Sequence, residues 1–140
     1  MITYVDTSTL LKLIIEEPGS DRAELIWRSA DTLAAVNLIV VEARAALAAA
    51  TRQGRLIVSK HRHAKAALLA LVGDLYTIEV TDTLLHDAAE LAEHEALRGY
   101  DAVHLAAALS VKASVMTTAD SALCDAAGRQ GLHVANPLTT

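Results

Sequence analysis

The sequence predicts an α/β sandwich around a mostly parallel sheet, and three observations carry that expectation. Short runs rich in Val, Ile, Thr and Tyr recur along the chain without the in-out alternation of a half-solvated strand. Longer stretches with helical spacing separate them. Asp, Thr and Ser stand where apolar runs give way to helical ones, as N-caps do.

Each element has its own warrant. ITYV at 2–5 is a β-branched and aromatic run that reads as a strand, and Asp6, Thr7 and Ser8 supply capping groups before LLKLII. Pro18, Gly19, Ser20 and Asp21 break the chain and cap a second helix through about residue 29, followed by a short strand over 32–36. An Ala-rich helix is expected over 38–52, ending at Gly54. Ser59 is placed to cap another helix to about residue 72, before Gly73, Asp74 and a strand YTIEV at 76–80. Thr81 and Asp82 open the next helix, Arg98 and Gly99 break it near residue 97, and a helix headed by Asp101 follows. SVMTT (114–118) is a strand leading to a helix over 120–129, and LHVAN (132–136) is a last strand.

The 140 residues have the usual size of one domain, and no Pro/Gly/Ser-rich stretch marks a boundary, so a single domain over 1–140 is expected. The most apolar window, 33–50, carries Asn37, Glu42 and Arg44 near its middle, which opposes membrane insertion. The N-terminus lacks a basic, cleavable leader and the single Cys124 has no disulfide partner in the chain; both favour the cytoplasm. Twelve basic against seventeen acidic residues give a net charge of −5, the wrong sign for gripping nucleic acid by bulk electrostatics. A polyanion substrate would need a bridging cation or a local basic patch.

Four acids stand apart: Asp6, Glu42, Asp101 and Asp120. Asp6 and Asp120 fall at carboxyl ends of expected strands, where sheets of this kind collect ligands. Asp101 heads LRGYDAVHLAAAL, an otherwise buried composition, and Glu42 lies beside the buried face of NLIVVEARAALAAA. Each has an ordinary alternative: Asp6, Asp101 and Asp120 as N-caps, Glu42 as a rim residue reaching water. Together the alternatives weaken, because four carboxylates meeting at one sheet edge repel one another. A divalent cation removes that repulsion, and an oxygen-only donor set suits a hard ion, Mg²⁺ or Mn²⁺.

With these residues in view, the chain resembles the PIN domain, and more closely the VapC-like toxins of type II toxin–antitoxin pairs. The resemblance rests on VDTSTLLKLIIEEP, the isolated Glu42, LRGYDAVHLAAAL and the turn MTTAD, in that order. It implies a three-layer α/β/α fold with four to five strands. The implied activity is a metal-dependent endoribonuclease, usually homodimeric and inhibited by a co-expressed antitoxin. Residue by residue it assigns Asp6, Glu42, Asp101 and Asp120 to the acidic quartet around Mg²⁺ or Mn²⁺, acting through metal-activated water, with Ser8 and Thr118 supporting them by hydrogen bonds.

Other features have weaker functional readings. Arg52, Arg55, Lys60, Arg62 and Lys65, with His61 and His63, form a basic stretch that is either a solvated face or a path steering RNA phosphates to the acids. His104, three residues after Asp101, is placed to pair with it or to pack at the site's edge. Trp27, Leu10, Leu11, Ile14 and Leu25 read as core or dimer surface, or as a groove for an antitoxin helix. Glu16, Glu17, Asp87, Glu90, Glu93 and Glu95 read as solvated helix faces, and Cys124 as a small buried hydrophobe. A receiver-like phosphoacceptor would carry an adjacent acid pair after the first strand and a dehalogenase-like phosphatase a D-x-D; Asp6-Thr7-Ser8 is neither. The remaining alternative is a catalytically silent RNA-binding or protein-interaction module on the same fold.

Overall fold

The computed structural model describes residues 1–139. Its elements run β1 (Ile2–Val5), α1 (Thr7–Lys12), α2 (Ser20–Ser29), β2 (Thr32–Val36), α3 (Leu38–Arg52), α4 (Val58–Gly73), β3 (Tyr76–Ile78), α5 (Asp82–Glu95), α6 (Gly99–Ser110), β4 (Val115–Thr117), α7 (Ser121–Arg129) and β5 (His133–Ala135). The five strands form one sheet in the order β3-β2-β1-β4-β5, and every pairing is parallel. The expected α/β sandwich is therefore present, with a sheet that is wholly rather than mostly parallel.

Period-two alternation along the strands divides the core between two faces. Tyr4, Val36 and Met116 pack with Leu84, Ala102, Leu105 and Leu123 of α5, α6 and α7. Val5 and Ala35 pack with Leu10, Ile39, Leu47 and Leu68 of α1, α3 and α4. Helices thus cover both faces and make three layers. Helix α6 is buried continuously from Asp101 to Ala108, and its alanines allow neighbouring elements to approach closely.

Several boundaries differ from expectation for local reasons. Ser59 caps nothing: α4 begins at Val58 after Ile57, with no side-chain cap bond. The break before α6 sits at Ala96, in left-handed conformation (φ 54°), with Arg98 as N-cap, so Gly99 lies inside the helix. Asp101 is a first-turn residue of α6 and not its cap, which removes the ordinary explanation for its carboxylate. Asp6 and Asp120 do cap α1 and α7, accepting from Ser8 N and Leu123 N. Gly19 precedes α2 at φ 91°, and a Cβ there would lie 2.8 Å from the Pro137 carbonyl oxygen, so only glycine fits this close approach.

Chain order reverses direction across the sheet at β1, whose neighbours are β2 and β4. That reversal opens a crevice at the carboxyl ends of β1 and β4, into which the segments beginning at Asp6 and Thr118 emerge.

Candidate functional site

Asp6 follows β1 directly, and a dense set of hydroxyl groups holds it. Its Oδ2 accepts from Ser8 Oγ at 2.7 Å and from Thr118 Oγ1 at 2.8 Å, with Ser8 N at 3.4 Å. Thr118 in turn accepts from Asp120 N at 3.1 Å, and Ser8 Oγ accepts from Ala119 N at 2.9 Å. The two strand ends are thereby tied together through hydroxyls that also orient a carboxylate. Ser8 and Thr118 stand where the sequence placed them.

Glu42 projects from α3 into the same region. Its Oε1 accepts from Thr7 Oγ1 at 2.9 Å and lies 2.5 Å from His104 Nε2. His104 belongs to α6 and has no solvent exposure. Its other nitrogen, Nδ1, is 2.7 Å from the Tyr4 hydroxyl, which itself accepts from Val36 N at 3.1 Å. Because Val36 N–H occupies Tyr4 as a donor, the phenol proton points to Nδ1 when the ring is neutral, leaving the imidazole proton on Nε2 toward Glu42. His104 therefore pairs with Glu42, with Asp6 Oδ1 at 3.5 Å, and not with Asp101 as its spacing suggested. Burial opposes the imidazolium, but the Glu42 hydrogen bond and the charges of Asp6, Glu42 and Asp101 outweigh it and raise the pKa. Burial likewise pushes the Tyr4 phenol well above its ordinary value.

The remaining two acids share a different partner. Arg98 Nε donates to Asp101 Oδ2 at 2.9 Å and its Nη2 to Asp120 Oδ2 at 3.1 Å, while Asp120 Oδ1 accepts from Leu123 N at 3.0 Å. Burial raises the Asp101 carboxyl pKa; Arg98 works against that, and the charges of Asp120 and Asp6 add to it. The four acids thus fall into two pairs, Asp6 with Glu42 on His104 and Asp101 with Asp120 on Arg98, near enough for the charge of Asp6 to act on Asp101. Among the described residues no group of three or more His, Cys, Asp or Glu side chains is gathered closely enough to hold a metal ion as it stands.

The donor set nevertheless suits a hard cation. Asp6, Glu42 and Asp101 each have one oxygen tied down, while Asp6 Oδ1, Glu42 Oε2 and Asp101 Oδ1 accept no hydrogen bond among the described residues. Carboxylates with lone pairs left open, among them Asp101, whose pKa is raised by burial and further by the charges of Asp120 and Asp6, are what a divalent ion would satisfy. A cleft of about 310 Å³ lies against Arg98, Asp101, Asp120 and Ser121. A larger one, about 560 Å³, lies between α5 and α6 at Leu91, His94 and Leu109 and contains none of the four acids.

The basic stretch divides. Arg52 and Arg55 lie at or beyond the far end of α3, ten or more residues from Glu42 and roughly 15 Å away by helical rise. Lys65 and His61 instead line a groove with exposed Val41 and Arg44, two residues from Glu42. Arg62, Lys60 and His63 are exposed on α4. Sequence reasoning missed Arg44, Tyr4 and Arg98: a lone arginine or a strand tyrosine carries no local signal of the partner that tertiary packing supplies. Other expectations are corrected. The Glu95 side chain is only 4% exposed, held by Arg129 and Gln130. Glu17 is half-buried on Lys12, and Cys124 is half-buried with Sγ donating to the Thr118 carbonyl. The core-or-surface alternatives for the first two helices divide rather than fail: Leu10 is in the core with Leu11, Ile14 and Trp27 packed against it, and Leu25 is exposed. No described helix is long and apolar enough to cross a membrane.

Comparison with known proteins gives the family. The model of the PIN domain matches residues 3–129. Ribonuclease VapC45 and ribonuclease VapC49 of Mycobacterium tuberculosis are each 39% identical over 110 residues, covering 79% of this chain and 76% of theirs. Among solved structures, PAE2754 from Pyrobaculum aerophilum superposes with a TM-score of 0.72 at 24% identity, over 96% of this chain and 83% of that one. A chain of VapBC2 from Rickettsia felis, bound to a promoter DNA fragment, does so with a TM-score of 0.67 at 17% identity, over 97% and 98%. Fold, matched span and the relatives' identity agree: the chain belongs to the PIN domain family.

Proposed function

We propose that this protein is a metal-dependent endoribonuclease, the toxin of a type II toxin–antitoxin pair, acting as one domain over 1–140. The observation that carries the reading is the set of carboxylates at the β1–β4 crevice: Glu42 and Asp101 are each anchored by one oxygen with the other left open, and Asp6 is anchored by Oδ2 with Oδ1 3.5 Å from His104 Nε2. Relatives at 39% identity named as ribonucleases support the reaction class. Asp6, Glu42, Asp101 and Asp120 would hold Mg²⁺ or Mn²⁺, which supplies Lewis-acid activation of water and neutralises charge building on a phosphodiester.

The chain's own side chains do the positioning. Ser8 and Thr118 keep Asp6 from rotating, Thr7 and His104 do the same for Glu42, and the dry packing around His104 keeps that orientation rigid. Arg44 and Lys65 line the groove from which an RNA backbone would approach Glu42; Arg62, Lys60, Arg55 and Arg52 would extend that path. Solved complexes titled VapBC and FitAB support an antitoxin partner. A homodimer and a cytoplasmic location complete the proposal.

The test is cleavage of a structured RNA pool by antitoxin-free protein with Mg²⁺, Mn²⁺ or EDTA, beside Asp101→Asn. Discrete cuts that need the metal and vanish in the variant are expected. Native and variant proteins that are folded and equally inert would instead assign the domain to binding without catalysis.

A further inference from the structure

Arg98 enters the reading above only as the anchor of Asp101 Oδ2, yet it also bonds Asp120 and so joins the two acids through one side chain. As N-cap of α6 it offers no side-chain cap bond; its guanidinium turns instead to carboxylates on two different elements, at 2.9 and 3.1 Å. The exposures are unequal: the Asp101 side chain is 11% exposed and Asp120 29%, but Arg98 is 63% exposed. The acids are fixed and the cation is at the surface, free to leave.

We propose that Arg98 is the resident counter-cation of the metal-free site, displaced by the divalent ion and then left to grip the RNA phosphate that the ion draws in. This rests on the metal-nuclease reading above. The argument is one of competition. Guanidinium and divalent ion are drawn to the same two carboxylates, Asp101 and Asp120, and repel each other at that range, so both cannot sit at full occupancy. Without Arg98, two carboxylates in a partly desolvated cleft would face each other unpaired. Once released, the guanidinium need not travel far, because it already lies 5.3 Å from the centroid of the half-exposed Tyr100 ring, at the rim of the cleft. Its planar fork of N–H donors matches a phosphate as it matches a carboxylate.

The test compares native protein with Arg98→Ala and Arg98→Lys, first by calorimetric titration with Mn²⁺ alone. Two partly exposed ion pairs must be broken for the metal to enter native protein, so Arg98→Ala is expected to bind Mn²⁺ roughly fivefold more tightly. Arg98→Lys falls between, since a point charge cannot span both acids. Melting in EDTA gives an independent readout: Arg98→Ala melts below native, and saturating Mn²⁺ closes the gap. At saturating Mn²⁺, the shortest RNA from the pool that native protein cuts should show KM raised by a larger factor than kcat is lowered in Arg98→Ala. Unchanged or weaker Mn²⁺ binding by Arg98→Ala would overturn the exchange and make Arg98 a structural tether. Tighter Mn²⁺ binding with unchanged KM would overturn the hand-over to phosphate. Absence of Mn²⁺ binding by native and variant alike would overturn the metal-nuclease reading itself.

Discussion

His104 and Glu42, sixty-two residues apart in sequence, meet at 2.5 Å, and the imidazole that makes this contact has no solvent exposure. Behind it Tyr4 joins the ring to the backbone of Val36, so a strand amide, a phenol, an imidazole and a carboxylate form one continuous chain of hydrogen bonds. Among the described residues no buried side-chain nitrogen or oxygen lacks a partner, which makes each link costly to remove.

Tyr4→Phe tests the chain at its inner end. It strips Val36 N–H of its acceptor and His104 Nδ1 of its donor while keeping the ring's volume. Urea denaturation should show a loss of about 1–3 kcal/mol, the usual cost of stranding a buried polar group. The same experiment on Ser29→Ala, whose hydroxyl bonds an exposed helix carbonyl, should show little change.

Thr118→Val tests the tie between the two strand ends. Valine matches the shape of threonine but removes the donor to Asp6 Oδ2 and the acceptor for Asp120 N, at a side chain with no exposure. A loss of about 1–3 kcal/mol is expected. Because Asp6 Oδ2 is then held by Ser8 alone, Mn²⁺ affinity measured by titration should fall as well.

Gly19→Ala should destabilise by about 1–3 kcal/mol, since alanine at φ 91° is strained and its Cβ would meet the Pro137 carbonyl. Thermal melting reads this directly. An equal melting temperature would mean that the chain after Asn136 shifts without cost.

Glu95 predicts a pH dependence. Hydrogen bonds from Gln130 and Arg129 hold its carboxyl below the ordinary glutamate range. A carboxyl with a lowered folded pKa contributes stability that is present above the unfolded value, near 4.3, and is lost as pH falls through the folded value. The melting difference between native protein and Glu95→Gln should therefore be constant from neutral pH to about pH 5 and shrink below about pH 4.

Arg44 and Lys65 test the approach path. Reversing both charges should weaken RNA binding and flatten its salt dependence, whereas reversing Arg52, at the far end of α3, should do less. Fluorescence anisotropy across a salt series distinguishes the two.

Much of this protein is written locally. The succession of strands and helices follows from residue spacing and capping groups, both properties of a few neighbouring side chains, and so Asp6 and Asp120 could be placed at strand ends before any contact was known. Glu42 and Asp101 were legible for the same reason, as charges in apolar company. What the sequence could not determine is who neutralises them. The order of strands brings α3 and α6 to one side of β1, and only then does His104 find Glu42 rather than the Asp101 beside it in the chain. The left-handed turn at Ala96 makes Arg98 the cap of α6, turning Asp101 from a capping residue into an ion-pair partner. Composition and periodicity record which groups must be buried or bound; the partner of a buried charge is a long-range fact, settled by packing because desolvation leaves each carboxylate in need of some donor without naming it.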